Sequence, residues 1–205
     1  MGKRGFIFII GLCLLALCFF TYRSLSAPRN IFSEIYRDEY AGFHSWQGYP
    51  HLSKVAGINN WDRAEARDEF AQMPSEHYRE AALSQPITEA GYSFNFYKKN
   101  EHMTMYFTYK LDQEVSLYFH SLYKEKNKSL TQTVSVIIPD GTRRKYIKNK
   151  ADIQSYLDRY QVSSSDLETY YNQGMKNLLL KDWVSVYQSR FSSDDWGEVK
   201  VIRKW

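Results

Sequence analysis

The chain has 205 residues, of which 27 are Lys or Arg and 23 are Asp or Glu, so its formal net charge at pH 7 is +4. Lys3, Arg4 and Arg23 flank one long apolar run, and without them 24 basic residues face 23 acidic ones. This balance argues against binding to DNA or RNA. Both cysteines, Cys13 and Cys18, lie inside the apolar run, so the rest of the chain needs an ordinary hydrophobic core without an internal disulfide.

The apolar run at residues 5–20, GFIFIIGLCLLALCFF, predicts an export signal or a membrane anchor because two basic residues precede it. Its 16 residues would form a helix of about 24 Å, slightly shorter than the ~30 Å hydrocarbon core. We favour an uncleaved single-pass anchor over a signal cut before Ala27, where small residues precede the bond, and over a buried helix of a cytosolic domain. The expected organisation is an anchor over residues 1–26 and an extracytoplasmic domain over residues 27–205, facing outward from the cell membrane.

Helical patterns occupy the first part of this domain. Asn30 is a predicted N-cap for the helix IFSEIYRDEYAGF. A second predicted helix covers WDRAEARDEFAQM (61–73), and SEHYREAAL (75–83) is expected to add a further helical turn or two before Pro86.

From Gly91 onward the apolar residues alternate with polar ones, which is the pattern of half-buried strands. The predicted strands are YSFNFY (92–97), residues 103–110, residues 115–120, and TQTVSVII (131–138). Pro139-Asp140-Gly141-Thr142 predicts a turn, after which RRKYI pairs back. Short polar connections between such strands favour an antiparallel meander.

Helical spacing returns in KADIQSYLDRY (150–160), and Ser165 with Glu168 is a candidate capping box for a longer helix. The final GEVKVIRKW (197–205) predicts an edge strand. The fold class is therefore α+β, with one domain in which an antiparallel β-meander packs against helices.

No catalytic motif is evident in the sequence. There is no G-x-S-x-G, no H-E-x-x-H and no glycine-rich phosphate loop, and the five histidines lack the spacing of metal ligands. We therefore predict no catalytic residue, no metal and no cofactor, with an enzyme that uses an unrecognised site as the remaining alternative.

One face of the predicted meander carries tyrosines and a histidine among Ser and Thr residues. Tyrosine suits protein interfaces because it is amphipathic and loses little side-chain entropy. The alternative is that helices cover this face. Arg143 and Arg144 open the basic run RRKYIKNK, which either binds an acidic partner or an anionic envelope polymer, or is a solvated hairpin arm. The candidate partner-binding residues are Tyr97, Tyr106, Tyr118, His120, Arg143 and Arg144.

The segment KDWVSVYQSRFSSDDWGEVKVIRKW (181–205), together with the N-terminal apolar run and NIFSEIYRDEY (30–40), resembles the TipC family of immunity proteins. The likeness extends to chain length and to the order of anchor, helix, meander, helix and closing strand. Residues 42–90 carry little of it. Proteins of this family belong to Firmicutes, chiefly streptococci, and accompany antibacterial toxins exported by the type VII (Esx) pathway.

The resemblance implies that the cognate toxin degrades lipid II outside the cytoplasm, and that the immunity protein binds the toxin and blocks it without catalysis. The implied partner is one secreted toxin molecule bound by a monomer. An anchored envelope ligand-binding or assembly module is the alternative from a different class. The sequence does not identify the toxin.

Overall fold

We describe the protein from a computed structural model. The structure describes Gly11, Cys13 and Leu14 and residues 27–44, 58–59, 75–79, 85–96 and 101–205. Of the apolar run at residues 5–20, the structure describes only Gly11, Cys13 and Leu14. The predicted helix at 61–73 and Tyr97 lie outside the described residues. Within the described residues, no helix has both the length and the apolar character needed to cross a bilayer.

A β-sheet forms the centre of the domain, and alternating strand sequences produce it. Its described strands follow one another in space in chain order and pair antiparallel from β1 to β7, so the predicted meander is confirmed. Strand β8 pairs with β6 in parallel. The strands are β1 (Ile58–Asn59), β2 (Ser75–Arg79), β3 (Ile87–Asn95), β4 (His102–Lys110), β5 (Ser116–Lys124), β6 (Ser129–Asp140), β7 (Arg143–Ile147) and β8 (Lys200–Lys204).

The helices precede and follow the sheet in the chain. They are α1 (Ile31–His44), α2 (Lys150–Arg159), α3 (Ser164–Gly174) and α4 (Lys181–Tyr187), and a π-helical turn (Met175–Leu180) joins α3 to α4. One face of the sheet and the apolar stripes of these helices form a single buried cluster. Fully buried members include Phe32 of α1, Phe107 and Phe119 of the sheet, and Trp183 of α4. Burying each such side chain contributes about 1.5–3 kcal/mol, so this face supplies most of the hydrophobic stabilisation.

Both edges of β6 are occupied, but in different ways. β5 pairs with β6 along Ser129–Ile137, which uses one whole edge. On the other edge, β8 pairs with Ser129–Thr133 and β7 pairs with Val136–Asp140. Residues 134–135 lie between these two partners, so this edge of the sheet is divided.

Helix α1 begins where the sequence predicts, and its cap also connects it to the C-terminal segment. The Asn30 Oδ1 atom accepts a hydrogen bond from the backbone N–H of Ser33 at 2.8 Å. The amide of the same residue donates to the carbonyl oxygen of Glu198 at 2.8 Å. Asn30 is fully buried, so one side chain caps the helix and fixes the approach to β8.

Two local predictions are wrong. Ser75–Arg79 forms strand β2 on the outer edge of β3, because backbone pairing with a neighbouring strand overrides the helical tendency of SEHYREAAL. The capping box of α3 uses Ser163 and Asp166 in place of Ser165 and Glu168. The Glu168 carboxylate instead forms an ion pair with Arg203 of β8 at 3.0 Å.

The carboxylate of Glu125, in the turn between β5 and β6, holds α1 to the sheet. It accepts hydrogen bonds from Ser33 Oγ, Arg37 Nε and Tyr123 Oη, each at 3.0 Å, and it also contacts Lys128 Nζ. Only 14% of the Glu125 side chain is exposed. Because several donors share this one acceptor, its loss removes one hydrogen-bond partner from each of them.

We expect Glu125→Ala to lower the free energy of unfolding by about 2–4 kcal/mol, because it removes a shielded carboxylate with charged partners. Urea denaturation measures the change. The matched control is Glu198→Ala, since Glu198 also forms an ion pair with the N-terminal segment, to Arg29 at 3.5 Å, with 76% of its side chain exposed. The control should cost less than about 1 kcal/mol. Equal losses in the two variants would contradict the role given to Glu125.

Gly174 ends α3 at a close contact with the sheet. A Cβ atom at this position would lie 2.4 Å from two atoms of the Phe107 ring. Phe107 is fully buried and stacks on Phe119 with 4.9 Å between the ring centroids, so the ring has little room to move. The absence of a side chain at Gly174 therefore sets how closely α3 approaches the sheet.

Although alanine has the higher helix propensity, Gly174→Ala should destabilise the fold by about 1–3 kcal/mol through overpacking. Thermal or urea unfolding checks the single variant. In the double variant Gly174→Ala/Phe107→Leu the smaller side chain makes room, so the total loss should be smaller than the sum of the two single losses. Additive losses would show that the two sites do not contact each other.

Candidate binding face and groove

The second face of the sheet, opposite the core, carries the polar half of each alternating strand. We call it the polar face, and its central residues follow from the strand register. Tyr106 lies opposite Gly91 on one side and His120 on the other, while Tyr118 lies opposite Thr108 and Ser135.

An ion pair shows that the polar face is concave. Arg144 Nη1 of β7 lies 2.6 Å from Glu89 Oε2 of β3. These strands are four positions apart in the sheet, a separation of about 19 Å if the sheet were flat. One arginine and one glutamate side chain cannot bridge that distance, so the sheet curls until its two sides approach each other over the polar face.

The structure places the candidate partner-binding residues in different environments. Tyr106 is only 7% exposed, so it belongs to the buried floor of the concave face. Tyr118 and His120 are half-buried on the same face, nearer to β7. Arg143 and Arg144 are exposed, and Arg144 is engaged with Glu89. Tyr97 lies outside the described residues.

Helices α1, α3 and α4 do not cover the polar face. Their contacts lie on the other side of the sheet, where Phe32 packs on Tyr123, Gly174 lies against Phe107, and the carbonyl oxygen of Leu179 accepts a hydrogen bond from Tyr92 Oη at 2.9 Å. The half-buried side chains Tyr118 and His120 therefore face away from these three helices.

A cavity of about 630 Å³ opens where the edge of β6 is divided. We call it the edge groove. Helix α2 begins directly after β7 and passes beside the gap, so the groove has walls from both the sheet and the helix. Its lining residues are Tyr118, His120, Thr133, Val134, Ser135, Tyr146, Lys148, Lys150, Ile153, Gln154, Leu157, Lys204 and Trp205.

Aromatic rings connect the edge groove with the polar face. The Tyr118 ring meets the Tyr146 ring edge-on, with 5.5 Å between the centroids. Tyr118 also lies 6.0 Å from the Tyr106 ring and 6.3 Å from the His120 ring. Tyr146 is 42% exposed, so this row of rings runs from a buried tyrosine to one that is accessible to a partner.

Positive charge surrounds the groove. Lys148, Lys150 and Lys204 line it and are exposed, while none of the described Asp and Glu residues lines it. Burial lowers the pKa of His120 below its ordinary value, and the nearby charges of His102 and Lys148 lower it further. At neutral pH the site therefore combines a neutral imidazole with three ammonium groups.

Several groove residues were not among the candidates chosen from the sequence. Tyr146, Lys148 and Lys150 belong to the basic run RRKYIKNK, whose alternation places Tyr146 on the polar face with Arg144, so the sequence held this signal. Lys204 and Trp205 reach the groove only through the parallel pairing of β8 with β6, which no local pattern indicates. Among the described residues, no three His, Cys, Asp or Glu side chains cluster in a way that could hold a metal ion.

Comparisons with known proteins agree with this architecture. The model of a family described as TipC immunity protein-like matches residues 4–204. The solved structure of TipC2 from Streptococcus intermedius B196 superposes with a TM-score of 0.75 at 23% sequence identity, and the match covers 87% of this chain and 97% of that one. No curated protein matches the sequence.

The depressed pKa of His120 predicts a pH dependence. Because the folded state disfavours the charged imidazole, stability is fully present above the ordinary histidine pKa of about 6.5 and falls as the pH drops below it toward the lower folded value. His120→Gln removes this titration, so its free energy of unfolding should fall less than that of the unaltered protein between pH 7.5 and pH 5. Urea denaturation at both pH values measures the difference.

Lys148→Met tests one of the smaller contributions to the shift, since burial is the largest. Removal of the nearby charge should raise the pKa of His120 toward its ordinary value, which NMR titration of the imidazole resonances follows directly. The control is Lys181→Met, an exposed lysine at the start of α4 that does not line the groove. A pKa that moves equally in both variants would rule out a local effect of Lys148.

Proposed function

Because the chain belongs to the TipC immunity protein-like family, we propose that it is an immunity protein that binds and neutralises a cognate secreted antibacterial toxin. The match over residues 4–204 is the observation that carries this proposal. The concave polar face and the adjoining edge groove support it, since they offer half-buried rings and exposed charges for contact with another protein.

In the proposed mechanism the protein inhibits by occupying the toxin surface, without catalysis. Complementary shape and a few aromatic anchors supply the affinity, while charges orient the two proteins before contact. Tyr118 and Tyr146 suit the role of anchors because their rings contact each other and both line the groove. One immunity protein, acting as a monomer, blocks one toxin molecule.

The place of action is part of the proposal. The basic flank and apolar run at residues 5–20 anchor the protein in the cell membrane by a single span, with residues 27–205 outside the cytoplasm. The toxin is exported by the type VII pathway and degrades lipid II, so protection is needed on the outer side of the membrane. These points rest on the sequence and on the family resemblance.

A second candidate function is an envelope module that binds a small ligand without any toxin. The groove favours it, because about 630 Å³ lies within the ordinary range of ligand pockets, about 300–1,000 Å³. The experiment that separates the two functions is calorimetry of the full-length protein in detergent with the toxin encoded beside its gene. One-to-one nanomolar binding, with rescue of toxin-exposed cells, supports immunity; a folded protein that does not bind supports the envelope module.

The proposed anchors can be tested together. We expect Tyr118→Ala/Tyr146→Ala to weaken toxin affinity by at least 30-fold, equivalent to about 2 kcal/mol, because aromatic anchors carry much of the energy of an interface. Tyr40→Ala/Tyr170→Ala is the control, since both tyrosines lie on helices that pack on the other side of the sheet. Circular dichroism checks the fold, and similar affinities for the two folded variants would move the interface elsewhere.

A further inference from the structure

The edge groove combines an apolar interior with a cationic rim. Val134 and Leu157 are each 5% exposed, and Ile153 and the Trp205 ring are half-buried beside them. The opening exists because β8 leaves the edge of β6 at Thr133 and β7 joins it at Val136. The interior can therefore take a bulky apolar side chain that enters from outside the sheet.

The lysines on the rim differ in their pairing from two arginines near the groove. Arg203, which adjoins Lys204, pairs with Glu168, and Arg144 pairs with Glu89. Within the described part of the chain, Lys148, Lys150 and Lys204 form no ion pair. They come from three places in the fold, namely the segment after β7, the first turn of α2 and the end of β8.

Helix α2 adds to this positive field. Its N-terminus carries a partial positive charge from the backbone, and Lys150 occupies its first position, where a cation is unfavourable for the helix. Asp152 in the same turn offsets part of this cost, but it does not line the groove. The fold thus keeps one cation, Lys150, at a place where helix stability alone would favour an acid.

These features restrict the chemistry of the occupant. Three separated ammonium groups around an apolar interior complement a peptide whose carboxylates flank a bulky apolar side chain. A compact phosphate group is a poorer match, because none of the described arginines lines the groove to bind it through two parallel hydrogen bonds. A membrane surface is a poorer match as well, because the apolar side chains are recessed.

We propose that the edge groove binds an acidic surface segment of the cognate toxin. One bulky apolar side chain of that segment enters the groove between Lys148, Lys150 and Lys204. This inference rests on the proposed function, and it names the chemistry of the partner at the same surface. The lysines recognise the carboxylates on either side, and the interior of the groove recognises the side chain between them.

The variant Lys148→Glu/Lys204→Glu reverses two rim charges. Lys150 is left in place, because an acid at the first position of α2 would stabilise the helix and confuse the result. The control is Lys126→Glu/Lys181→Glu, which makes the same change in net charge at two exposed lysines outside the groove. Lys181 directly follows the π-helical turn, so it does not lie at a free helix N-terminus. Both variants are made in the full-length protein and compared by thermal unfolding before use.

Calorimetry with the toxin encoded beside the gene is the first measurement. The groove variant should bind at least roughly tenfold more weakly than the control, and the difference should shrink in high salt as the charges are screened. Equal affinity of the two folded variants would overturn the groove proposal and leave the proposed function intact.

A second measurement does not depend on the toxin. The probe is the acetylated peptide Asp-Glu-Trp-Glu-Asp, compared with Asn-Gln-Trp-Gln-Asn and with inorganic phosphate, while amide resonances of Ser135 and Lys148 are followed by NMR. Saturable shifts with the acidic peptide alone support the proposal, whether or not the toxin binds. Equal shifts with both peptides, equal shifts with phosphate, or no shifts would overturn it. If the toxin fails to bind the unaltered protein, the proposed function fails and the peptide result still decides the chemistry of the groove.

Discussion

Strand β6 is twelve residues long, and the way its two edges are paired determines the rest of the domain. β5 covers one edge from Ser129 to Ile137, which commits alternate apolar residues such as Phe119 and Val134 to the core face. The other edge is longer than either β7 or β8, each of five residues, so the two strands share it and leave a gap. The same arrangement brings the C-terminal segment back beside α1, where Asn30 binds the carbonyl oxygen of Glu198. The groove is therefore a consequence of strand lengths and pairing, and its walls are fixed by elements on both sides of the sheet.

The sheet is curved toward its polar face. On this face Tyr106 and Thr108 are only 7% and 4% exposed. The ion pair between Arg144 and Glu89 shows that the sheet curls toward this face, which brings polar side chains of distant strands together. Such an exposed ion pair contributes little energy of its own, about 0–1 kcal/mol, so it reports the curvature more than it causes it. The strongly packed opposite face, with Phe107 and Phe119 stacked beneath α3, provides the larger energy.

Local sequence patterns predict those helices and strands whose formation depends on residues that are close together in the chain. Asn30 precedes an amphipathic stretch, and strict alternation marks the strands from Tyr92 to Ile138, so α1 and the meander follow directly. Ser75–Arg79 was predicted as helix, because no local signal announces that the edge of β3 will accept another strand. The capping box uses Ser163 with Asp166, while Glu168 pairs with Arg203, a residue 35 positions away that no local pattern brings near. The same limit applies to the groove: the sequence shows Tyr118 and His120 as a polar face, whereas the approach of Lys204 and Trp205 requires the parallel pairing of β8.

The charge balance decides how the groove can act. With 24 basic and 23 acidic residues outside the N-terminal flank, the domain has no long-range attraction for polyanions, so the lysines at the groove act only locally. At physiological ionic strength the screening length is about 8 Å, so a carboxylate interacts strongly with these lysines only once it has reached the groove itself. An acidic protein surface without an apolar side chain at the right place would gain little there, and an apolar surface without acids would leave the lysines beside a low-dielectric contact. A partner that matches only the lysine rim or only the apolar interior therefore binds weakly. The combination of rim and interior provides specificity in a domain whose overall charge provides none.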